Sequence, residues 1–288
     1  MAVVDAENHG IRPLTKHDLR PLFISVLVSI ICITIFGLPS DMRNALKTKN
    51  AVFNPLTYVT ASFVHDSLGH LTLNLIAFIP SIFLLYFLNK KANSQKFFLV
   101  SLPIIFIVMP ILSYGLVNFY GIYRQVEYSF GLSLVNGVLI GLFVPSLIIY
   151  LQCKLEKFNP LLFFLSMLFL TLGLVSFLYS LYLASVVSLI FSFVFGWFNA
   201  KRIGSFLSLL LKDSKNFIET FVFLFAFFFY FFSIFGLFPF TVGVSQDSMV
   251  GVVQHWIGLL FGIILFSFYS IPKAIIIQKQ KSSQKQRA

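Results

Sequence analysis

Apolar runs of about twenty residues recur along this chain of 288 residues, and they limit its fold more than any other feature. A run of that length crosses roughly 30 Å of hydrocarbon as an α-helix. Hydrophobic residues make up 58% of the chain and charged residues only 11%, whereas a water-soluble domain has roughly 25% charged residues. The sequence therefore predicts an all-α polytopic protein that resides in a lipid bilayer.

The apolar runs divide the chain into predicted spans. Six runs have about the length of one crossing, and they cover residues 21–38, 68–88, 97–119, 129–151, 217–238 and 252–277. The remaining run, 161–198, contains 38 residues, which is too many for one helix and barely enough for two.

The basic residues decide how the long run is folded. Short cytoplasmic loops collect Lys and Arg. Lys154 and Lys157 precede the run, and Lys201 and Arg202 follow it. Both ends of the run are therefore predicted to be cytoplasmic, which makes it a hairpin that turns near residues 179–180. The predicted total is about eight spans, with both termini in the cytoplasm.

The same topology accounts for the net charge of +11. Counting Lys273 at the cytoplasmic end of the last span, the predicted cytoplasmic segments hold 17 of the Lys and Arg residues and the outer segments hold 4, a bias that orients membrane proteins. We therefore expect an integral protein of the cell membrane and no nucleic-acid partner. A cytoplasmic tail, 1–20, precedes the transmembrane domain, 21–277, and a basic tail, 278–288, follows it.

Three histidines stand at or near the predicted outer ends of spans: His65, His70 and His255. Ionisable groups at membrane depth are costly, and they usually face the protein interior or a water-filled cavity. Their common depth predicts one functional site. They lack a partner set of carboxylates or cysteines, so neither a metal ion nor another cofactor is expected.

His70 and Asn74 lie four residues apart, on one face of the predicted helix. Both side chains donate hydrogen bonds, and two such donors stabilise the oxyanion that develops when a carbonyl is attacked. Asn and His also join helices to each other within membrane bundles. From these two residues alone, both interpretations remain open.

Two predicted spans begin with a polar residue followed by a stripe of glycines. The stripe of the fourth span consists of Ser133, Gly137 and Gly141, and that of the last span consists of His255, Gly258 and Gly262. Small residues at this spacing let helix backbones approach closely, so the two spans are predicted to pack together. A lone serine in such a stripe more commonly serves packing than catalysis. With the long run folded as a hairpin, however, Ser133 and His255 begin spans of the same direction and share one depth.

These residues resemble the signatures of the rhomboid family of intramembrane serine proteases. The family has H-x4-H-x3-N on its second helix, G-x-S-G at the start of its fourth and H-x2-G-x3-G on its last core helix. The first signature is matched by His65, His70 and Asn74, and the third by His255, Gly258 and Gly262. The second is matched in part by Gly131, Leu132 and Ser133, because Leu134 replaces the usual second glycine.

The resemblance implies a six-helix core to which the predicted hairpin is an insertion. It implies that Ser133 attacks a peptide carbonyl while His255 takes its proton, with no carboxylate in the site. His70, Asn74 and the Ser133 backbone N–H would form the oxyanion hole, and His65 would brace the first outer loop. The span 217–238 would be the fifth core helix, which in the family gates lateral access of substrates.

The leading hypothesis is therefore an endopeptidase that cleaves transmembrane protein substrates near the outer membrane face. The alternative is a catalytically weak or inactive rhomboid-like protein that binds membrane-protein clients, since Leu134 places a branched side chain beside the nucleophile and could narrow the oxyanion site or press on the last helix. A small transporter fits least, because the spans carry no charged residue at mid-depth.

Overall fold

The structure is a computed structural model that describes residues 19–49, 52–124, 128–129, 131–155, 157–212, 217–238, 254–272 and 276. These residues are almost entirely helical. In chain order the elements are α1 (Arg20–Phe36), α2 (Ser40–Leu46), β1 (Thr48–Lys49), α3 (Pro55–Ala61), α4 (Leu68–Lys91), α5 (Gln95–Pro103), a π-helical turn (Ile104–Val108), α6 (Met109–Arg124), β2 (Tyr128–Ser129), α7 (Ser133–Lys154), α8 (Pro160–Leu178), α9 (Tyr182–Lys212), α10 (Phe217–Leu237) and α11 (Gln254–Pro272).

The described part of the chain has seven helical segments that are long and apolar enough to cross a membrane. They are α4, α5 joined to α6, α7, α8, α9, α10 and α11. The prediction of an all-α, multi-pass membrane protein is thereby confirmed. The predicted first span, α1, is apolar but has only 17 residues, which is about 26 Å of helix. The total of eight spans, the cell membrane and the cytoplasmic position of the termini stay predictions, and most of both tails lies outside the described residues.

The long apolar run forms two antiparallel helices, α8 and α9, which pack along their length. The chain turns at Tyr179 and Ser180, and the backbone of Ser180 is left-handed, with φ of 59°. Paired hydrogen bonds between Asn159 and Asn199 join the open ends of the hairpin. The second helix runs on to Lys212, well beyond the predicted end at residue 198.

The central helix of the bundle is α7, in which every residue from Ser133 to Gln152 is buried. Its neighbour α4 runs in the same direction, because Asn136 bonds Asn74 near the start of both helices and Ser146 bonds Asn89 near their ends. Buried polar groups need such partners. The end of the bundle at which α4, α7 and α11 begin is called the Ser133 end below.

The helix α10 lies between the hairpin and the core, in contact with α4, α7, α8 and α9. Its first turn is anchored far from the Ser133 end. There, the Glu219 carboxylate lies 3.2 Å from Lys91 Nζ and 2.7 Å from Lys154 Nζ, and it accepts a 2.8 Å hydrogen bond from the Tyr150 hydroxyl. These contacts join the start of α10 to the ends of α4 and α7.

Candidate active site

The helices α7 and α11 pack against each other through the four predicted glycines. A Cβ built on Gly258 would lie 2.7 Å from the Leu134 carbonyl oxygen, and one on Gly137 would lie 3.1 Å from that of His255. On Gly141 the added atom would lie 2.7 Å from the Cα of Gly262. Backbones this close leave no room for a larger side chain at the crossing.

The same contacts show that α7 and α11 are parallel. Gly137 meets His255 and Gly258, whereas Gly141, one turn later, meets Gly262. The two helices therefore begin at the same end of the bundle, and Ser133 and His255 lie at one level. Ser133 as a whole residue is 9% exposed. Although both residues are among those described, no hydrogen bond joins the Ser133 hydroxyl to the His255 ring.

The turn that precedes Ser133 depends on Gly131. Its φ of +115° is in the left-handed region, and its N–H donates a 2.8 Å hydrogen bond to the Ala61 carbonyl. A Cβ built on Gly131 would lie 3.0 Å from His70 Cε1 and 3.9 Å from Ser133 Oγ. The imidazole of His70 and the hydroxyl of Ser133 therefore both lie beside Gly131, on the side where a side chain would stand.

His65 fixes the same turn from the other side. Its Nε2 accepts a 3.5 Å hydrogen bond from the Leu132 N–H, so its Nδ1 carries the proton and donates to the Phe63 carbonyl, 3.2 Å away. Burial, reinforced by repulsion from His70, lowers the pKa of His65 to about 4. A neutral ring with both nitrogens bonded to backbone braces the segment before Ser133.

The loop that carries His65 is itself tied down. The Arg43 side chain donates to the His65 carbonyl over 3.1 Å, and Lys47 forms a 2.6 Å ion pair with Asp66. Thr48 and Lys49 pair with β2, just before the turn that precedes Ser133, as a two-stranded antiparallel sheet. The segment between α1 and α4 thus forms a scaffold beneath the start of α7.

The two predicted oxyanion donors differ in their surroundings. His70 is in the first turn of α4, where its N–H is capped by the Ser67 hydroxyl and its ring centre lies 5.0 Å from that of His65. Asn74 donates through Nδ2 to the His70 carbonyl and accepts through Oδ1 from Asn136, 2.9 Å away. The structure brings His70 to Ser133, and it engages Asn74 in bonds within α4 and between α4 and α7. One proton of the Asn74 amide remains for a ligand.

His255 points one ring nitrogen at the end of α10. Its Nδ1 lies 2.5 Å from the carbonyl oxygen of Leu237, the last residue of that helix. A carbonyl only accepts, so Nδ1 carries the proton and Nε2 keeps the lone pair that a general base requires. Sequence reasoning missed this partner, because a main-chain carbonyl has no residue identity to search for.

Leu134 is fully buried, and it packs with Tyr58, Ala61 and Tyr114 on the α3 and α6 side of α7. Its Cδ1 would lie 3.3 Å from a Cβ on Gly258, where a glycine leaves space for it. The leucine therefore occupies space between α7 and its neighbours α3, α6 and α11. The bare backbone of Gly258 thus provides the space beside α11 that the Leu134 side chain occupies.

Two further buried amides, close in the chain to Ser133 and His255, were not among the predicted residues. Asn136 and Gln254 are buried, and the Asn136 Oδ1 and Gln254 Nε2 atoms have no hydrogen-bond partner in the described part of the chain. Asn136 is one turn from Ser133, and Gln254 adjoins His255. A polar side chain within an apolar span is a signal by itself, and it marks Asn136.

The chain matches no protein-family model, no curated protein and no solved structure. Its function is therefore inferred from its own residues and their geometry.

Proposed function

We propose that the protein is a rhomboid-like intramembrane serine endopeptidase, with Ser133 as nucleophile and His255 as general base. Its substrates are transmembrane proteins, cleaved near the outer face of the membrane. One observation carries this proposal: the parallel, glycine-lined packing of α7 and α11 sets a serine and a histidine at one level. The unprotonated Nε2 of His255 is the nitrogen that such a reaction uses.

The reaction proceeds in two stages. Nε2 takes the proton of the Ser133 hydroxyl while Oγ bonds to the scissile carbonyl carbon, and the tetrahedral species collapses when the imidazolium returns this proton to the leaving amine. A water molecule then attacks the resulting ester with His255 again as base, which restores Ser133 and releases the carboxylic acid. Free enzymes often show long nucleophile–base distances that tighten once substrate is bound.

The oxyanion of each tetrahedral species needs donors. Ser133 is the first residue of α7, and no side chain caps the helix at Leu132. The N–H groups of the first turn of a helix have no partner within it, and they lie at the positive end of its dipole. The Ser133 N–H together with the His70 ring, its neighbour across Gly131, supplies an oxyanion site; the second proton of the Asn74 amide extends it.

Cleavage by the purified protein in liposomes tests this proposal. Wild type is expected to cut a single-pass transmembrane substrate, and Ser133→Ala to remove the activity, because the nucleophile is lost. Ser146→Ala is the matched control, since Ser146 is buried in the same helix and bonds Asn89 far from the site. Cleavage that survives Ser133→Ala would contradict the assignment.

A rhomboid-like protein that binds clients without cleaving them is the second candidate function. It is favoured by Leu134, which stands where the family has glycine. Under this alternative, wild type is not labelled by a fluorophosphonate probe, and Leu134→Gly or Leu134→Ala gains labelling. Labelling of Ser133 in wild type, lost in His255→Ala, would exclude it.

A further inference from the structure

The end of α10 provides a hydrogen-bond acceptor, the Leu237 carbonyl, for which His255 is the partner among the described residues. The last four carbonyls of a helix have no partner within it. The Ile234 carbonyl accepts from the Phe238 N–H over 3.0 Å, and the Leu237 carbonyl accepts from His255. This acceptor is placed where a catalytic triad has its carboxylate, on the ring nitrogen remote from the nucleophile.

An aromatic contact holds this end of α10 against α11 and the hairpin. Phe238 is fully buried, and its ring centre lies 6.2 Å from that of His255 and 5.1 Å from that of Trp256. The Phe238 ring also lies 6.4 Å from the ring of Tyr179, in the turn between α8 and α9. One ring therefore connects the turn of the hairpin to the general base.

A second contact joins the hairpin to the middle of α10. The Thr171 and Tyr230 hydroxyls are 2.5 Å apart, and both residues are fully buried. With Glu219 anchored at the far end, α10 is held at three levels along its length. The hairpin provides two of these three attachments.

We infer that the α8–α9 hairpin is a positioning element for catalysis, which through Tyr179 and Phe238 holds the Leu237 carbonyl against His255. The inference rests on the proposed function. The carbonyl fixes the proton on Nδ1, so Nε2 stays unprotonated and can act as the base toward Ser133. It also belongs to the negative end of the α10 dipole, which attracts the positive charge that His255 gains during the reaction. Displacement of this helix end frees the imidazole to rotate and to exchange tautomers.

The tautomer of His255 tests the inference directly. In protein carrying ¹⁵N-labelled histidine, with the His255 signal assigned by its loss in His255→Gln, wild type is expected to show Nδ1–H when the ring is neutral. Tyr179→Ala and Phe238→Ala are expected to populate Nε2–H. Tyr179→Phe is the matched control, because it keeps the ring and removes only a hydroxyl without a hydrogen-bond partner in the described chain. A wild-type ring in the Nε2–H form would overturn the inference.

The labelling rate of Ser133 by a fluorophosphonate gives the functional readout. Tyr179→Ala and Phe238→Ala are expected to lower it at least about tenfold, as for partial loss of a general base. In the cleavage assay the same variants lower kcat and leave KM unchanged, since they alter orientation and not substrate binding. Tyr179→Phe keeps the wild-type values.

The acceptor itself is tested without removing a side chain. Phe238→phenyllactic acid makes the Leu237 carbonyl an ester, which is a weaker acceptor, and is expected to slow labelling. Leu237→leucic acid weakens the Gly236 carbonyl in its place and serves as control. Equal rates for both esters, with the Nδ1–H tautomer retained in Phe238→Ala, would refute the inference. If wild type is never labelled, the proposed function fails, and the tautomers alone decide whether the hairpin positions His255.

Discussion

Gly131 is the residue on which the geometry before Ser133 depends. A side chain at this left-handed position would strain the backbone, and its Cβ would lie 3.0 Å from the His70 ring, which would have to move. Gly131→Ala is expected to cost about 1–3 kcal/mol of stability through backbone strain, and to displace His70 from Ser133. Thermal unfolding and Ser133 labelling measure the two effects. Gly115→Ala is the control, because no atom lies within 4 Å of its added Cβ, and an equal loss in both variants would argue against the role of Gly131.

His65 predicts a specific dependence of stability on pH. Its pKa falls from an ordinary value near 6.5 to about 4 on folding, so the unfolded chain binds the extra proton more readily. Stability is therefore complete above about pH 6.5, and it declines as the pH falls toward about 4. The loss is at most about 3 kcal/mol for a shift of this size. Between these pH values the free energy of unfolding of wild type should fall more steeply with decreasing pH than that of His65→Gln. If the two proteins show the same pH dependence, His65 is not buried as a neutral ring.

The sequence predicts the parts of the candidate site that consist of side chains, and it does not predict the backbone groups that orient them. Ser133, His255 and His70 are found by their polarity within apolar spans. The role of Asn74 depended on Asn136, whose position is known only once the register of α4 and α7 is fixed. The acceptor of His255 is a backbone atom, so no residue pattern reveals it.

At the scale of elements, the backbones of α7 and α11 approach each other more closely at Gly141 than at Gly137. An added Cβ on Gly141 would overlap the backbone of α11 more deeply than one on Gly137, where the nearest atom is 3.1 Å away. Gly141→Ala is therefore expected to destabilise by about 1–3 kcal/mol, as overpacked cores do, and to slow Ser133 labelling. Gly137→Ala should have the smaller effect on both. The reverse order would mean that the helices do not cross at these glycines.

The helices themselves follow from hydropathy, and the hairpin follows from charge. Hydropathy and charge do not predict the short elements α2, α3, β1 and β2, because these elements lack a long apolar period. The strands β1 and β2 also pair across some eighty residues of chain, where no local signal operates. The end of α9 was also misplaced, at residue 198. Asn199 and the basic residues after it mark the end of the apolar run, but Lys201 and Arg202 favour helix as well as solvent.

At the scale of the whole molecule, the direction of the helices predicts which segments share a side of the membrane. The turn at Ser180 and the start of α7 lie at one end of the bundle, and Lys157 lies at the other. In a background without Cys32 and Cys153, an impermeant maleimide should label Ser180→Cys from outside intact cells and should not label Lys157→Cys. Disruption of the membrane should expose both. Labelling of Lys157→Cys in intact cells would invert the predicted topology.

The parallel packing of α7 and α11 also restricts how this chain can change over evolution. Between Ser133 and His255, transmembrane helices can be gained or lost only in even numbers, because an odd change would carry the histidine to the opposite face of the membrane. The α8–α9 hairpin is the smallest unit that such a rule permits. A duplication within this stretch preserves the pairing of the two residues only if it copies a complete hairpin.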